Sequence, residues 1–188
     1  MRNAEATREL ILNAAMEEFS ALGIAGARVD RIAKAAGCNK NLIYIYFENK
    51  ETLFATVLQK YIDRAFEAIP FTPDNLPDYA ARVFDFAMAN PHLMRLMMWS
   101  NLEQMTVKPI ERGALHDQKL QQISDAQSNG RIGSAFEPKF ILTSLMVLAT
   151  AWTATNPFGA AMTAEAPSTP ELLKESITKA VSLIVEAK

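Results

Sequence analysis

The stretch "VDRIAKAAGCNKNLIYIY", residues 29–46, decides how this chain folds. On a helix, successive side chains are about 100° apart, so Ile43, Tyr46 and Phe47 make one apolar stripe. Asn41, Tyr44, Ile45 and Glu48 then fall on the opposite side. A segment packed only into a core does not carry a second face of mixed aromatic and polar groups, so something docks there. Upstream, Val29, Ile32, Ala33 and Ala36 form the inner face of another short helix, 29–36. Gly37 permits the positive φ of a tight turn, and Asn39 caps the helix that follows, 40–46. Ala33 is small enough for the two helices to cross closely, with Ile32 and Ile43 packing against Phe19 of a preceding helix. The unit is helix, three-residue turn, helix, with its outer face free to enter a DNA major groove. Lys40 suits a phosphate, Asn41 a base edge, Tyr44 a phosphate or sugar, and Ile45 a thymine methyl.

The charge pattern agrees with this reading. The 188-residue chain has a net charge of −2, with 49% hydrophobic and 21% charged residues, a globular balance that excludes wholesale disorder. Between Arg28 and Lys50, five basic residues (Arg28, Arg31, Lys34, Lys40, Lys50) face two acidic ones (Asp30, Glu48), so the window is 5 − 2 = +3. A local positive patch in an acidic chain suits a polyanion. The lone cysteine, Cys38, excludes an internal disulfide and reads as a small turn residue. His92 and His116 are isolated, and no metal-ligand or nucleophile–base spacing appears, so no metal, cofactor or catalytic residue is expected and the chain is not an enzyme. A polar N-terminus without a signal-peptide core points to the cytoplasm. The uncharged run Phe140–Thr155 is 16 residues, short of the roughly 20 that span a bilayer, and reads as a buried helix.

Elsewhere apolar residues recur at helical spacing, and the fold class is all-α with about nine helices. Asn3 caps a first helix whose stripe is Ile11, Ala14, Ala15, Phe19 and Leu22, ended by Gly23. Asn49 caps a helix over 50–68, and the proline-rich "PFTPDNLP" (70–77) is a linker. Helices over 76–89, 92–105 and 110–129 follow. Two final helices start at Pro138 and Pro170, with Glu137 and Thr169 as caps.

The segment "RVDRIAKAAGCNKNLIYIYFENKETLF" (28–54) resembles the helix-turn-helix of the TetR family of bacterial transcriptional regulators. The resemblance covers roughly residues 5–58, and Gly37, Lys40, Tyr44, Tyr46, Phe47, Lys50 and Glu51 all fall in step with the family's pattern. It implies a DNA-binding domain (1–48), a helical regulatory and dimerisation domain (49–188), and a homodimer. It further implies repression from a palindromic double-stranded operator, relieved by a small molecule. Carried over by position, Lys40, Asn41, Tyr44 and Lys50 contact DNA, while Tyr46 and Phe47 pack internally. The full candidate set is Arg28, Asn39, Lys40, Asn41, Leu42, Tyr44, Ile45 and Lys50. Four positions depart from the family's usual pattern. Arg28 replaces a capping Ser or Thr, Asp30 replaces a common arginine, and Leu42 and Ile45 stand where polar base readers are frequent.

Beyond residue 59 the signal is compositional. "HLMRLMMWSNLEQM" (92–105) is rich in methionine around an indole, which suits an adaptable pocket for an apolar or aromatic effector. Phe84, Met88, Met98, Trp99, Leu102 and Trp152 are the candidate ligand-binding residues. The last two helices read as a dimer interface, because 140–155 is too apolar for water and "LLKESITKAVSLIVEA" (172–187) is amphipathic. The alternative is a TetR-like protein controlled by a protein partner, with no small-molecule inducer.

Overall fold

The structure, a computed structural model, describes residues 4–103, 112–165 and 170–188. Among them the chain is all-α, with ten helices: α1 (Ala4–Gly26), α2 (Val29–Ala36), α3 (Lys40–Phe47), α4 (Lys50–Ala68), α5 (Leu76–Ala89), α6 (Pro91–Leu102), α7 (Arg112–Ser128), α8 (Pro138–Thr150), α9 (Pro157–Glu165) and α10 (Pro170–Glu186). The expected caps Asn3 and Thr169 lie outside the described residues.

The helix beyond the expected nine is α9, and local hydrogen bonds account for it. The Thr153 and Thr155 hydroxyls both donate to the Thr150 carbonyl, at 2.8 and 3.0 Å, and turn the chain out of α8. The apolar run therefore does not continue as helix to Thr155. Asn156 then accepts from the Phe158 N–H at 3.0 Å, and Pro157 opens α9. Asn-Pro is a helix start here as well as an interruption. Nor is α8 buried all round: Ile141, Leu145 and Ala149 are buried, while Phe140, Met146 and Val147 are exposed in the single chain. No described helix is long and apolar enough to cross a membrane.

Two compact units form. The first joins Met1–Phe66 with Pro91–Val107; the second joins Glu67–Asn90 with Lys108–Lys188. In the first, Phe19 of α1 and Phe54 of α4 meet edge to face at 5.1 Å, an arrangement the ring quadrupoles favour. Ile11, Leu12, Ala15, Ile32, Ile43, Leu53, Val57 and Leu58 are buried with them. Midway along α4, the Lys60 ammonium pairs with Glu9 and holds its carboxyl below the ordinary range. Tyr61 donates to Asn13 Oδ1 at 3.3 Å.

Leu22, expected on the buried stripe of α1, is exposed instead, because the helix breaks one residue later. Gly23 has φ 67° and ψ −179°, a conformation essentially closed to residues with a Cβ. α6 packs along α1 and fastens this break. Arg95 Nε and Trp99 Nε1 donate to the Ser20 carbonyl at 3.0 and 3.2 Å, capping an α1 oxygen that the break leaves without a helical partner. Glu103 accepts from the Ile24 and Ala25 N–H groups at 3.2 and 3.4 Å.

In the second unit α5 packs on α8 and α10, and α7 on α8. Asn75 starts α5 by accepting from the Asp78 N–H at 3.2 Å. Leu76, Phe84, Ile123, Ile141, Leu145, Ile177 and Val181 make the core.

A Cβ at Gly23 would lie 2.5 Å from Glu103 Oε1 and 2.7 Å from the Trp99 ring. Gly23→Ala is therefore expected to lower stability by about 2–3 kcal/mol, combining a forbidden backbone conformation with a clash. Urea unfolding followed by circular dichroism measures it; an unchanged midpoint would contradict the packing of α6 on the break.

Candidate nucleic-acid interface

The first helix of the helix-turn-helix, α2, begins without a cap of its own. Arg28, in the N-cap position of α2, makes no side-chain cap. Its backbone N–H donates instead to Glu18 Oε1 of α1 at 2.8 Å, and the same oxygen accepts from Arg31 Nε at 2.8 Å. An acid ten residues upstream thus satisfies the helix start and suits the positive end of the helix dipole. Residue patterns near α2 gave no sign of this role. The only trace in the sequence is that "ARVD" opens a helix without a Ser, Thr or Asn to cap it.

The turn closes as expected. Gly37 sits at φ 64° and ψ 36°; its N–H donates to the Lys34 carbonyl at 3.2 Å and the Cys38 N–H to Ala33 at 3.0 Å. These are the paired bonds of a Schellman ending, which needs the left-handed residue. Cys38 is half-buried, and that burial pushes its thiol above the ordinary range, which leaves little thiolate. Asn39 Oδ1 then accepts from the Asn41 N–H at 2.9 Å, so this side chain holds the start of α3.

The two faces of α3 separate cleanly. Ile43 and Phe47 are buried. Tyr46 is half-buried, with its hydroxyl donating to the Ala4 carbonyl at 3.3 Å, and the Arg8 guanidinium lies 5.4 Å above the Phe47 ring. On the other side Asn41, Tyr44 and Ile45 are exposed, Ile45 to 75%, and Leu42 is half-buried at the margin. Arg28 is exposed at the start of α2. Lys40 Nζ pairs with Asp30 Oδ1 at 2.9 Å, which raises the ammonium pKa and keeps it cationic. Lys50 Nζ donates to the Ala27 carbonyl at 3.3 Å, tying the first residue of α4 to the α1–α2 connection.

Between α3 and α4 the chain turns within two residues. Glu48, at φ 62° and ψ −52°, is the one positive-φ residue other than glycine among those described. The Asn49 N–H donates back to the Phe47 carbonyl at 2.6 Å, closing a strained γ-turn. Asn49 Oδ1 then accepts from the Thr52 N–H at 2.7 Å and starts α4.

The candidate ligand-binding residues are not gathered in one unit. Phe84 lies in the core of the second unit, with Met88 and Trp152 packed against that core. Met98, Trp99 and Leu102 belong to α6, in the first unit. Trp99 faces Gly23, Met98 is half-buried and Leu102 is 69% exposed. No cluster of three or more metal-ligating side chains occurs among the described residues.

Comparison with known proteins gives the chain's family. Residues 11–57 match the family model described as bacterial regulatory proteins, tetR family, and residues 75–182 match the tetracyclin repressor-like C-terminal domain. The chain is 35% identical, over 98% of its own length and 98% of the relative's, to the HTH-type transcriptional repressor SCO4008 of Streptomyces coelicolor. It is 30% identical to the HTH-type transcriptional repressor NicS of Pseudomonas putida, across 55% of this chain and 52% of NicS. Among solved structures, the transcriptional regulator SCO4942 from Streptomyces coelicolor superposes with a TM-score of 0.85 at 36% identity, covering 95% of this chain and 98% of that one. The chain belongs to the TetR family, and it is a DNA-binding transcriptional regulator.

Because Glu18 substitutes for a local cap, Glu18→Ala is expected to cost about 1–2 kcal/mol of stability, the usual range for a lost N-cap. Glu18→Gln keeps an acceptor oxygen and should lose less. Chemical denaturation of both variants checks the ranking, and equal losses would mean that the charge alone matters.

Proposed function

We propose that the protein represses transcription by binding a palindromic operator as a homodimer, and leaves DNA when an apolar or aromatic small molecule binds its helical part. The observation that carries the DNA reading is Ile45, an aliphatic side chain 75% exposed at the centre of the outer face of α3. Flanked by Asn41 and Tyr44, it suits a thymine methyl, with Asn41 reading a neighbouring base edge. Lys40, Tyr44, Lys50 and Arg28 take the backbone, Leu42 lies at the edge of the contact, and Asn39 holds the helix start toward a phosphate. Relatives named as repressors support repression.

The homodimer reading is supported by an apolar surface on two neighbouring helices of the second unit. Phe140 and Val147 of α8 and Leu172 and Leu183 of α10 are all exposed in the single chain. Contiguous apolar surface of this kind marks an interface, and a two-fold pairing of α8 and α10 would cover it.

The effector reading is supported by adaptable apolar and aromatic side chains found in each unit. Phe84, Met88 and Trp152 pack in the second unit; Met98, Trp99 and Leu102 lie on α6 of the first. α6 holds the end of α1 through Arg95, Trp99 and Glu103, so an effector that shifts α6 disturbs the unit that carries α3. α4, which crosses between the units after Phe66, offers a second route.

Selection from random duplexes should return inverted half-sites whose centres are about 34 Å apart, or a multiple of it. Ile45→Ala should relax preference at particular bases, whereas Tyr44→Phe should weaken binding to all sequences alike. Asymmetric single half-sites would overturn the two-fold reading. An effector found by screening should bind the protein more weakly in the presence of operator, by the same factor by which it weakens DNA binding. Calorimetry with and without operator measures this, and equal affinities would remove that molecule as an inducer.

A further inference from the structure

The DNA-facing edge of α2 carries an acid where a cation would gain most from a polyanion. Asp30, the second residue of α2, is exposed, and its two carboxylate oxygens lie 2.9 and 3.2 Å from Lys40 Nζ. The field of α2 favours an acid in its first turn, whereas the field of α3 disfavours a cation at its first residue, where Lys40 stands. A nearby carboxylate therefore steadies the ammonium in the free protein. Yet the side chains are 43% (Lys40) and 72% (Asp30) exposed, and ion pairs that open to water contribute little to stability. Such a pair separates when a stronger anion arrives.

We propose that Asp30 is a built-in competitor of the DNA backbone for Lys40, held by the protein in the free state and displaced by a phosphate oxygen on binding. The proposal rests on the assignment of Lys40 to phosphate made above. Its consequence follows from counterion balance. A lysine that neutralises a phosphate releases about 0.9 of a counterion from duplex DNA. Here the same step leaves a bare carboxylate beside the duplex, within the ~8–10 Å over which salt fails to screen it, and that carboxylate takes up a cation. Net release at this contact is therefore close to zero. Asp30 lowers affinity for any duplex by the same factor, because the backbone it competes with carries no sequence. It acts as a positioning residue: it sets how much of Lys40 the DNA can use, without touching a base.

The test is titration of the full chain against labelled operator and an unrelated duplex over a range of salt concentrations, with Asp30→Asn, Asp30→Glu, Lys40→Ala and the double variant Asp30→Asn/Lys40→Ala. Asp30→Asn should bind both duplexes about fivefold more tightly near physiological salt, with the slope of log affinity against log salt steeper by about 0.9. Asp30→Glu, which keeps the charge, should behave as the parent protein. With Lys40 already removed, Asp30→Asn should gain clearly less, only what the field of one carboxylate near the duplex costs, with a smaller change of slope. An equal gain with and without Lys40 would overturn the proposal alone, since the effect would then be the general field of one lost charge. A gain on the operator only would overturn it too, because Asp30 would then be reading sequence. Lys40→Ala without effect on either duplex would overturn the assignment of Lys40 to phosphate, and the proposal with it.

Discussion

The left-handed ending of α2 at Gly37 is the constraint on which the DNA-facing surface depends. Its two backbone bonds, to Lys34 and Ala33, stop one helix and reverse the chain within three residues, and Asn39 at once starts the next. Because the reversal is this short, α3 cannot choose its orientation independently. Ile43 and Phe47 go inward with Ile32 and Phe19, and Ile45 and Tyr44 are left in water. An exposed isoleucine is unfavourable for an isolated chain, and the hydrophobic burial on the opposite side of the same helix offsets it. The exposed face of α3 is thus a by-product of the core beneath it.

A second constraint acts on the other end of the unit. Gly23 breaks α1, and the break leaves the Ser20 and Ala21 carbonyls and two N–H groups that water or side chains must satisfy. α6 and the residue after it supply the partners: Arg95 and Trp99 for Ser20, Arg95 for Ala21, and Glu103 for Ile24 and Ala25. A segment that arrives from the second unit and returns to it thereby becomes part of the unit that carries the helix-turn-helix.

Electrostatics is arranged with similar economy. The window from Arg28 to Lys50 is positive in sum, but two of its cations already have carboxylate partners, Arg31 with Glu18 and Lys40 with Asp30. Glu18 also caps α2, so its charge serves the fold first. Asp30 has no such structural duty beyond its own helix turn, and it stands in the open where a duplex would approach. Asp30 is already subtracted in that sum but Glu18 lies outside the window, so the sum overstates by one charge what the folded surface offers to a polyanion.

The helix, turn and helix of residues 29–46 are legible in the sequence because their determinants are local: a glycine for the turn, an asparagine for the cap, and a period that sorts Ile43 and Phe47 from Tyr44 and Ile45. Helices α2, α4 and α5 likewise announce their ends through neighbours in the chain. α9 and the early end of α8 were equally local, but their signal, threonine hydroxyls and an Asn-Pro pair, is compatible with both a break and a new start. The rest was decided only by the tertiary structure. Trp99 and Ser20 are separated by 79 residues, Glu18 and Arg28 by 10, and Asp30 and Lys40 by 10. Periodicity records which face of a helix avoids water and is silent about which surface covers it. By composition Trp99 belongs with Met98 as well as with Phe84 and Trp152; in the fold its indole closes on a broken helix, because that is where a donor and a flat ring were both needed.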